Sequence, residues 1–209
     1  MARPPQANSE ETKATILRVA TNLFAKGGHG GTSMRQVARE SGVAQATVHH
    51  YFDSKEGLYE SCFQTMVADL ARLIEKLRDQ LEAAAPMPDR VRVAVTTAYR
   101  FAGEHRSSVR LLNRQVLEAG AGAHGSRHDL LFSFIHAATP TLVQGSRLDR
   151  AQLNMALYGL TCFLVRICAA ESQELVRILP GVGRLELEAY LGELAVRMLG
   201  CDEQGLSSP

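Results

Sequence analysis

Apolar residues recur at helical spacing along nearly the whole chain. Ile16, Ala20, Leu23 and Phe24 stand at i, i+4, i+7 and i+8, which places them on one face of a helix. The glycine pair 27–28 follows, and glycine tolerates the left-handed conformation that closes a helix. No segment alternates apolar and polar residues as a half-buried strand does, so the predicted fold is all-α.

Two short helices are predicted after this first one. A capping box opens the earlier helix, because the Ser33 hydroxyl can accept a backbone N–H and the Gln36 side chain can reach back. Gly42 interrupts the pattern. The later helix then runs from about Ala44 to Tyr51.

A long helix comes next, with Asp53 or Ser54 available to cap it. One apolar stripe continues from Leu58 to Leu81, so the helix extends to about Glu82. At 1.5 Å rise per residue its length is roughly 42 Å, longer than a small domain is wide. The alanine- and proline-rich residues 83–88 end it.

The remaining sequence also has helical periodicity. Asp149 to Gln152 can cap one of its helices, and Pro140 is expected to kink another. A glycine-rich loop is predicted at 120–125 and a break at 180–183. The predicted helices cover residues 91–102, 109–118, 127–144, 149–172 and 184–200.

Composition is typical of a soluble globular protein, with 45% hydrophobic and 22% charged residues in 209. The net charge of +1 gives no general basicity, although a nucleic-acid interface needs only a local cluster of positive charge. No signal-peptide core or membrane-spanning apolar run is predicted, so the expected location is the cytoplasm. The four scattered cysteines are therefore expected to be reduced thiols that fill apolar positions.

The most specific pattern lies between Thr32 and Glu56. Ala38 is small enough for a second helix to cross close by, Gly42 supplies a turn, and Val48 is an apolar plug that faces Val37 and Ala38. These offsets suit a helix-turn-helix, whose second helix keeps a free face that can enter a DNA major groove. The same geometry also occurs in proteins that never bind DNA.

The side chains predicted to be exposed on that second helix can read bases. They are Gln45, Thr47, His49 and His50. Glutamine can pair bidentately with adenine, and the threonine methyl suits the thymine methyl. Lys55 begins the long helix, where a phosphate could be held by the lysine together with backbone N–H groups. Arg35 and Arg39 add positive charge on the first short helix.

The segment from about Ile16 to Cys62 resembles the tetracycline repressor (TetR) family of bacterial regulators. The resemblance is carried by a small residue, then Gly42-Val43, then the run Thr-Val-His-His-Tyr-Phe-Asp-Ser-Lys-Glu at 47–56. It implies base contacts from Gln45, Thr47 and His50. Tyr51 and Lys55 would hold phosphates, Ser33 or Arg35 would touch the DNA backbone, and Phe52 would be core.

The chain departs from the family pattern at two positions. Family members usually carry tyrosine, often a phosphate contact, where this chain has His49. Histidine can still donate there, but its charge varies near neutral pH. Family members also usually carry an aromatic residue where this chain has His29, inside the glycine-rich segment 27–31.

The resemblance further implies a C-terminal domain that binds an effector and forms a dimer. The last two predicted helices are broadly apolar, which agrees with a four-helix dimer interface. A small-molecule site needs an apolar pocket with a few convergent polar groups. Candidate residues for that site are Tyr99, His105, Arg110, Arg114, Phe132, His136, Cys162, Phe163 and Arg166.

Together these observations predict a helix-turn-helix DNA-binding domain at 9–53, a helical regulatory domain at 54–200, and flexible tails at 1–8 and 201–209. The predicted function is a homodimeric regulator, a repressor released from a palindromic operator by a small, largely apolar effector. Control by a protein partner is the alternative. An enzyme is not expected, because the sequence has no nucleophile elbow, phosphate loop or metal-ligand spacing. No cofactor or metal is predicted.

Overall fold

The computed structural model describes residues 5–82, 85–118, 135, 138–170, 177 and 180–202. All regular structure in these ranges is α-helical, which confirms the predicted fold class. Residues 138–143 are helical too. The main helices are α1 (Pro5–Gly27), α2 (Met34–Ser41), α3 (Gln45–Phe52), α4 (Lys55–Glu82), α5 (Met87–Glu104), α6 (Arg106–Glu118), α7 (Arg150–Ala169) and α8 (Arg184–Met198).

Some predictions fall outside the described residues. These concern the loop at 120–125, most of the helix at 127–144, Phe132, His136, and parts of both tails. The chain divides into two compact units. Unit 1 is Met1–Asp69 with Ser107–Ala119, and unit 2 is Leu70–Arg106 with Gly120–Pro209. The boundary predicted between residues 53 and 54 thus lies within unit 1.

The starts and ends of the helices in unit 1 follow the predicted signals. Gly28 adopts φ +70° after α1, and Gly42 adopts φ +70° after α2. The Ser33 hydroxyl caps α2 by accepting from the Gln36 N–H at 3.2 Å. The Gln36 side chain does not reach back as predicted but donates to Glu40 Oε1 at 3.2 Å, so only half of the capping box forms.

Helix α4 spans Lys55–Glu82 without interruption, as the apolar stripe predicts. Of the two predicted capping residues, Ser54 caps the helix, since its hydroxyl accepts a hydrogen bond from the Gly57 N–H at 3.0 Å. Asp53 is instead the residue with φ 51° that separates α3 from α4. Up to Asp69 the helix belongs to unit 1, and from Leu70 it belongs to unit 2.

The core of unit 2 is built from α4, α5, α7 and α8. Leu153 and Leu191 are fully buried in it, and α5 packs extensively along α8. Asp149 and Gln152 form a complete capping box at the start of α7, with bonds of 2.8 and 3.1 Å. Near this core, the Glu188 carboxylate accepts from Arg100 and Arg184. Bonding to Arg100 is the main cause that lowers the pKa of Glu188.

The cysteines are free thiols. Burial raises the pKa of Cys62, Cys168 and Cys201 to about 11, so these three fill core positions as predicted and are poor nucleophiles. Cys162 is exposed on α7 and departs from the predicted apolar packing.

Helix α7 has an unusual apolar character. By length and composition alone it could cross a membrane, a criterion that core helices of soluble proteins also meet. One side of it is buried through Leu153, Leu157, Leu160 and Leu164. No such segment is predicted from the sequence, because polar residues interrupt the apolar run of α7.

Two valines on α5 give a matched test of this core. Val91 is 1% exposed and Val93 is 51% exposed. We expect Val91→Ala to lower the free energy of unfolding by roughly 1.5–3 kcal/mol, because it removes two buried methyl groups and leaves a cavity. Val93→Ala should change it by less than about 0.5 kcal/mol. Equal losses in urea titrations of the two variants would contradict this description of the core.

Candidate nucleic-acid interface and apolar cavity

The helix-turn-helix geometry is set by a few buried side chains. Val37 and Val48 are fully buried, Ala38 is 4% exposed and Phe52 is 4% exposed. Val48 and Phe52 lie one turn apart on α3, so they fix which side of that helix faces inward. The predicted plug at Val48 is confirmed, and so is the core position of Phe52.

The opposite side of α3 is open to solvent. Gln45, His49 and His50 are exposed and Thr47 is half-buried. Gln45 Nε2 lies 3.4 Å from His49 Nε2, and His49 Nδ1 lies 3.0 Å from the Asp53 carbonyl oxygen. Each imidazole nitrogen thus has a polar partner in or next to α3, and which atom donates in each contact depends on the tautomer. His49 thereby holds the Gln45 amide from one turn away.

Tyr51 is tied to the first helix. Its hydroxyl lies 2.9 Å from the Ser9 hydroxyl, a contact between α3 and α1 that the sequence analysis did not identify. A phenolic oxygen can accept one hydrogen bond and donate another, so Tyr51 can keep the Ser9 contact while donating to a phosphate. The bond also orients α3 against α1.

The predicted phosphate ligand Lys55 has an internal partner. Its Nζ donates to the His29 carbonyl oxygen at 3.1 Å. Thr32 Oγ1 donates to the Gly28 carbonyl at 3.0 Å, and Arg114 donates to the Lys26 carbonyl at 3.4 Å. The Lys26 carbonyl lies in the last turn of α1, where it has no helical partner, and the Gly28 and His29 carbonyls lie in the loop that follows. An ammonium group has three donors, so Lys55 retains capacity for a phosphate.

His29 takes the place of the aromatic residue expected in the loop. Its ring centroid lies 5.0 Å from that of Tyr59 at an interplanar angle of 68°, and 6.1 Å from that of Phe24. Phe24 and Tyr59 meet edge to face at 4.8 Å. Edge-to-face packing of this kind stabilises ring clusters. His29 therefore packs between α1 and α4 even though it replaces the aromatic residue that the family usually has there.

On α2, Arg35 and Arg39 are exposed. Arg39 forms an ion pair with Glu40 at 3.6 Å. Ser33 is exposed as well, and its hydroxyl is engaged in capping α2. Side chains of α2 and α3 together thus present hydroxyl, amide, imidazole and guanidinium groups to solvent.

A cavity of about 60 Å³ lies inside unit 2. Helix α4 contributes Ile74, Leu77, Arg78 and Leu81 to its wall. Arg78, Thr141 and Thr161 are polar, and the other described lining residues are aliphatic. The Thr161 hydroxyl donates to the Leu157 carbonyl at 2.8 Å, so this threonine has a partner within α7.

Helices α5 and α7, the segment at 138–142 and Leu199 complete the wall. Val91, Val95 and Ala98 come from α5, and Leu157, Leu160 and Leu164 come from α7. A sequence signal for these residues existed, since they belong to the apolar stripes. Nothing in those stripes distinguished a residue that lines a cavity from one in close-packed core.

The predicted effector residues lie elsewhere. Tyr99 and His105 are half-buried in unit 2, with the His105 ring stacked on Phe101 at 4.2 Å. Arg110 and Arg114 belong to unit 1. The described candidates do not line the cavity. The remaining ones on α7 are exposed on the side opposite its buried leucines: Cys162, Phe163 and Arg166.

Comparison with known proteins agrees with this geometry. Residues 16–62 match the family model described as bacterial regulatory proteins, tetR family. The HTH-type transcriptional repressor KstR2 of Rhodococcus jostii (strain RHA1) is 26% identical over 117 residues, which cover 54% of this chain and 56% of KstR2. The chain spans about half the length of the curated relatives it matches.

Solved structures share the fold over nearly the full length. A TetR-like transcriptional regulator from Rhodococcus sp. RHA1 has a TM-score of 0.65 at 23% identity and covers 96% of this chain and 100% of its own. The transcriptional regulator FadR from Bacillus subtilis, solved in complex with stearoyl-CoA, has a TM-score of 0.64 at 14% identity, with coverages of 91% and 99%.

The family match covers α2, α3 and the start of α4, where the helix-turn-helix side chains lie. Residues 16–62 are therefore similar to the helix-turn-helix segment of TetR-family bacterial transcriptional regulators, as the resemblance implied. The chain's relatives are named as DNA-binding-type regulators rather than as enzymes.

The turn between α2 and α3 can be tested with two glycines. A Cβ on Gly42 or on Gly30 would meet no atom within 4 Å, but only Gly42 has φ +70°. We expect Gly42→Ala to lower the free energy of unfolding by about 1–2 kcal/mol, the cost of a left-handed alanine. Gly30→Ala should have little effect. The two variants are compared by thermal and urea unfolding, and an equal loss would contradict a strained turn.

Proposed function

We propose that this protein is a homodimeric, cytoplasmic transcriptional repressor that leaves a palindromic operator when a small, largely apolar effector binds unit 2. The observation that carries the proposal is the exposed side of α3, with Gln45, His49 and His50 facing solvent opposite the buried Val48 and Phe52. The match of residues 16–62 to the TetR family model supports the DNA-binding role. An apolar cavity in unit 2 supports the effector.

In this proposal the DNA contacts divide into two kinds. Gln45, Thr47 and His50 reach base edges in the major groove. Ser33, Arg35, His49, Tyr51 and Lys55 contact the phosphate backbone and set the register. Tyr51, Lys55 and His49 already have hydrogen-bond partners in the free protein, which restricts their orientations before DNA arrives.

A pair of substitutions separates base contacts from phosphate contacts. We expect Lys55→Ala to weaken binding to all DNA sequences alike and to reduce the slope of log K against log salt by about 1. Gln45→Ala should instead relax the preference at one operator base pair. Fluorescence anisotropy with an operator and its single-base variants measures both effects.

The control for this pair is Lys76→Ala, an exposed lysine of α4 that belongs to unit 2. It should bind DNA as the wild type does. If Gln45→Ala leaves sequence preference intact while Lys55→Ala changes it, the two roles are wrongly assigned.

The dimer interface proposed here is the exposed apolar side of α7 and α8. Met155 is 72% exposed, and Tyr158 and Phe163 further along α7 are exposed as well. On α8, Leu185 is 75% and Tyr190 is 61% exposed. Exposed apolar residues clustered in this way typically mark an interaction surface. A second copy of the same surface gives the closed two-fold symmetry that an operator palindrome requires.

Substitution at this surface should separate the subunits. We expect Met155→Glu combined with Tyr190→Glu to give a monomer at micromolar concentration, because burying two carboxylates at an interface is costly. Light scattering coupled to size-exclusion chromatography measures the mass. Val93→Glu, at an exposed position of α5, should remain a dimer.

Effector binding is proposed to act through α4. The cavity of about 60 Å³ is small beside the few hundred Å³ of most ligand pockets, so an effector must displace the side chains that line it. Four of those residues lie on α4, and the same helix begins at Lys55 beside α3. Effector and operator would then each weaken the binding of the other.

The alternative is control by a protein partner that binds the α7–α8 surface. It is favoured if the wild-type protein is monomeric while still binding DNA. The decisive experiment for the proposed function is a gel shift on the DNA upstream of the protein's own gene, repeated with a panel of small molecules. Release by a molecule that also raises the melting temperature supports the effector. Retention of DNA throughout the panel, in lysate-free buffer, favours the partner.

A further inference from the structure

We propose that the effector is a single-chain anionic amphiphile, an alkyl chain held in the cavity of unit 2 with its anionic end paired to Arg78. The inference rests on the proposed function and gives the chemical class of the ligand. Its basis is the placement of one cation at the wall of an otherwise aliphatic cavity.

The lining explains the alkyl chain. Leucine, isoleucine, valine and alanine side chains form nearly all of the described wall. The hydroxyl of Thr161 is engaged with its own helix, so it offers little to a polar ligand. Aromatic side chains are missing from the described lining, so nothing there favours a planar ring by stacking. A flexible hydrocarbon chain can follow such a wall, and each buried CH₂ adds about 0.8 kcal/mol of favourable transfer.

Arg78 explains the anion. On α4 it has Glu75 one turn before it and Glu82 one turn after it, the spacing at which ion pairs form on helices. Arg78 nonetheless makes no ion pair or hydrogen bond with any residue that the structure describes. Its side chain is exposed to solvent and also contributes to the cavity wall. A guanidinium there can bind a carboxylate or a phosphate in bidentate fashion.

The other charged groups of α4 do not compete for this role. Lys76 and Asp79 are exposed and do not contribute to the cavity wall. The described part of the wall therefore carries one positive charge and no carboxylate. A cationic amphiphile would meet repulsion, and a neutral one would gain no electrostatic attraction.

The test compares four ligands with the same ten-carbon chain: decanoate, decyl phosphate, 1-decanol and decylammonium. Each is titrated into the full-length protein below its critical micelle concentration, by isothermal calorimetry. We expect an anion to bind at least about tenfold more tightly than decanol, as one charge-assisted hydrogen bond implies. Decylammonium should bind most weakly. The ratio between decanoate and decyl phosphate identifies the anion.

Variants locate the site. Arg78→Gln should reduce anion binding to the level of decanol while leaving decanol unchanged, and Lys76→Gln should change neither. Ala98→Leu, which fills the cavity, should weaken all four ligands. Circular dichroism and melting temperature show whether each variant is folded. If Arg78→Gln destabilises the fold, Arg78→Lys should preserve the preference for anions and gives the same information.

Three results would overturn the inference: equal binding of decanol and the anions, a preference that survives Arg78→Gln, or a preference lost in Lys76→Gln. Operator release is measured separately with the same ligands. An anion that binds through Arg78 without releasing DNA contradicts the proposed coupling but leaves the ligand class intact. If another molecule releases the DNA and neither anion binds, the proposed ligand class is wrong, but the coupling between effector and operator stands.

Discussion

The recognition helix α3 depends on tertiary packing for its existence. It has eight residues, no side-chain N-cap and two histidines, and helices of this length are marginal in water by themselves. It is held by the burial of Val48 and Phe52 and by the hydrogen bond between the Tyr51 and Ser9 hydroxyls. The left-handed turn at Gly42 then directs the chain from α2 into α3. These few interactions position every side chain that is proposed to contact a base.

The polar side chains proposed to contact DNA have hydrogen-bond partners within the protein. Lys55 holds the carbonyl of His29, and His49 lies between Gln45 and Asp53. Such bonds reduce the number of rotamers that must be lost on binding DNA. They also couple the glycine-rich loop after α1 to the start of α4, because Lys55 is the first residue of α4 and donates to the His29 carbonyl of the loop.

The sequence predicts much of the fold because the determining interactions are local. The ends of α1 and α2, the cap at Asp149 and the length of α4 all follow from glycine, capping residues and apolar periodicity. The Gln36 side chain was the exception, since Glu40 one turn later offered a better partner. The exposure of Gln45, His49 and His50 was also predictable, because they lie on the side of α3 away from the apolar Val48 and Phe52.

The cavity proposed as the effector site was less predictable than the helices, because its lining residues are far apart in the sequence. Periodicity shows that Leu77, Val95 and Leu160 face inward, but the space left between them arises only when three helices meet. The candidates predicted from the sequence were mainly aromatic and charged residues, and two of them, Arg110 and Arg114, lie in unit 1 instead. The Ser9–Tyr51 hydrogen bond joins residues 42 positions apart, and no local sequence pattern predicts it.

The cavity belongs to the same side-chain cluster that stabilises unit 2. A ligand that enters it competes with the protein's own packing, and the concentration at which a response begins is set by how firmly Leu77, Val91 and Leu157 fill the space. A smaller residue at one of these positions would respond to less ligand and would also melt at a lower temperature. If the protein senses a ligand in this way, tighter core packing raises its melting temperature and also raises the ligand concentration needed for a response.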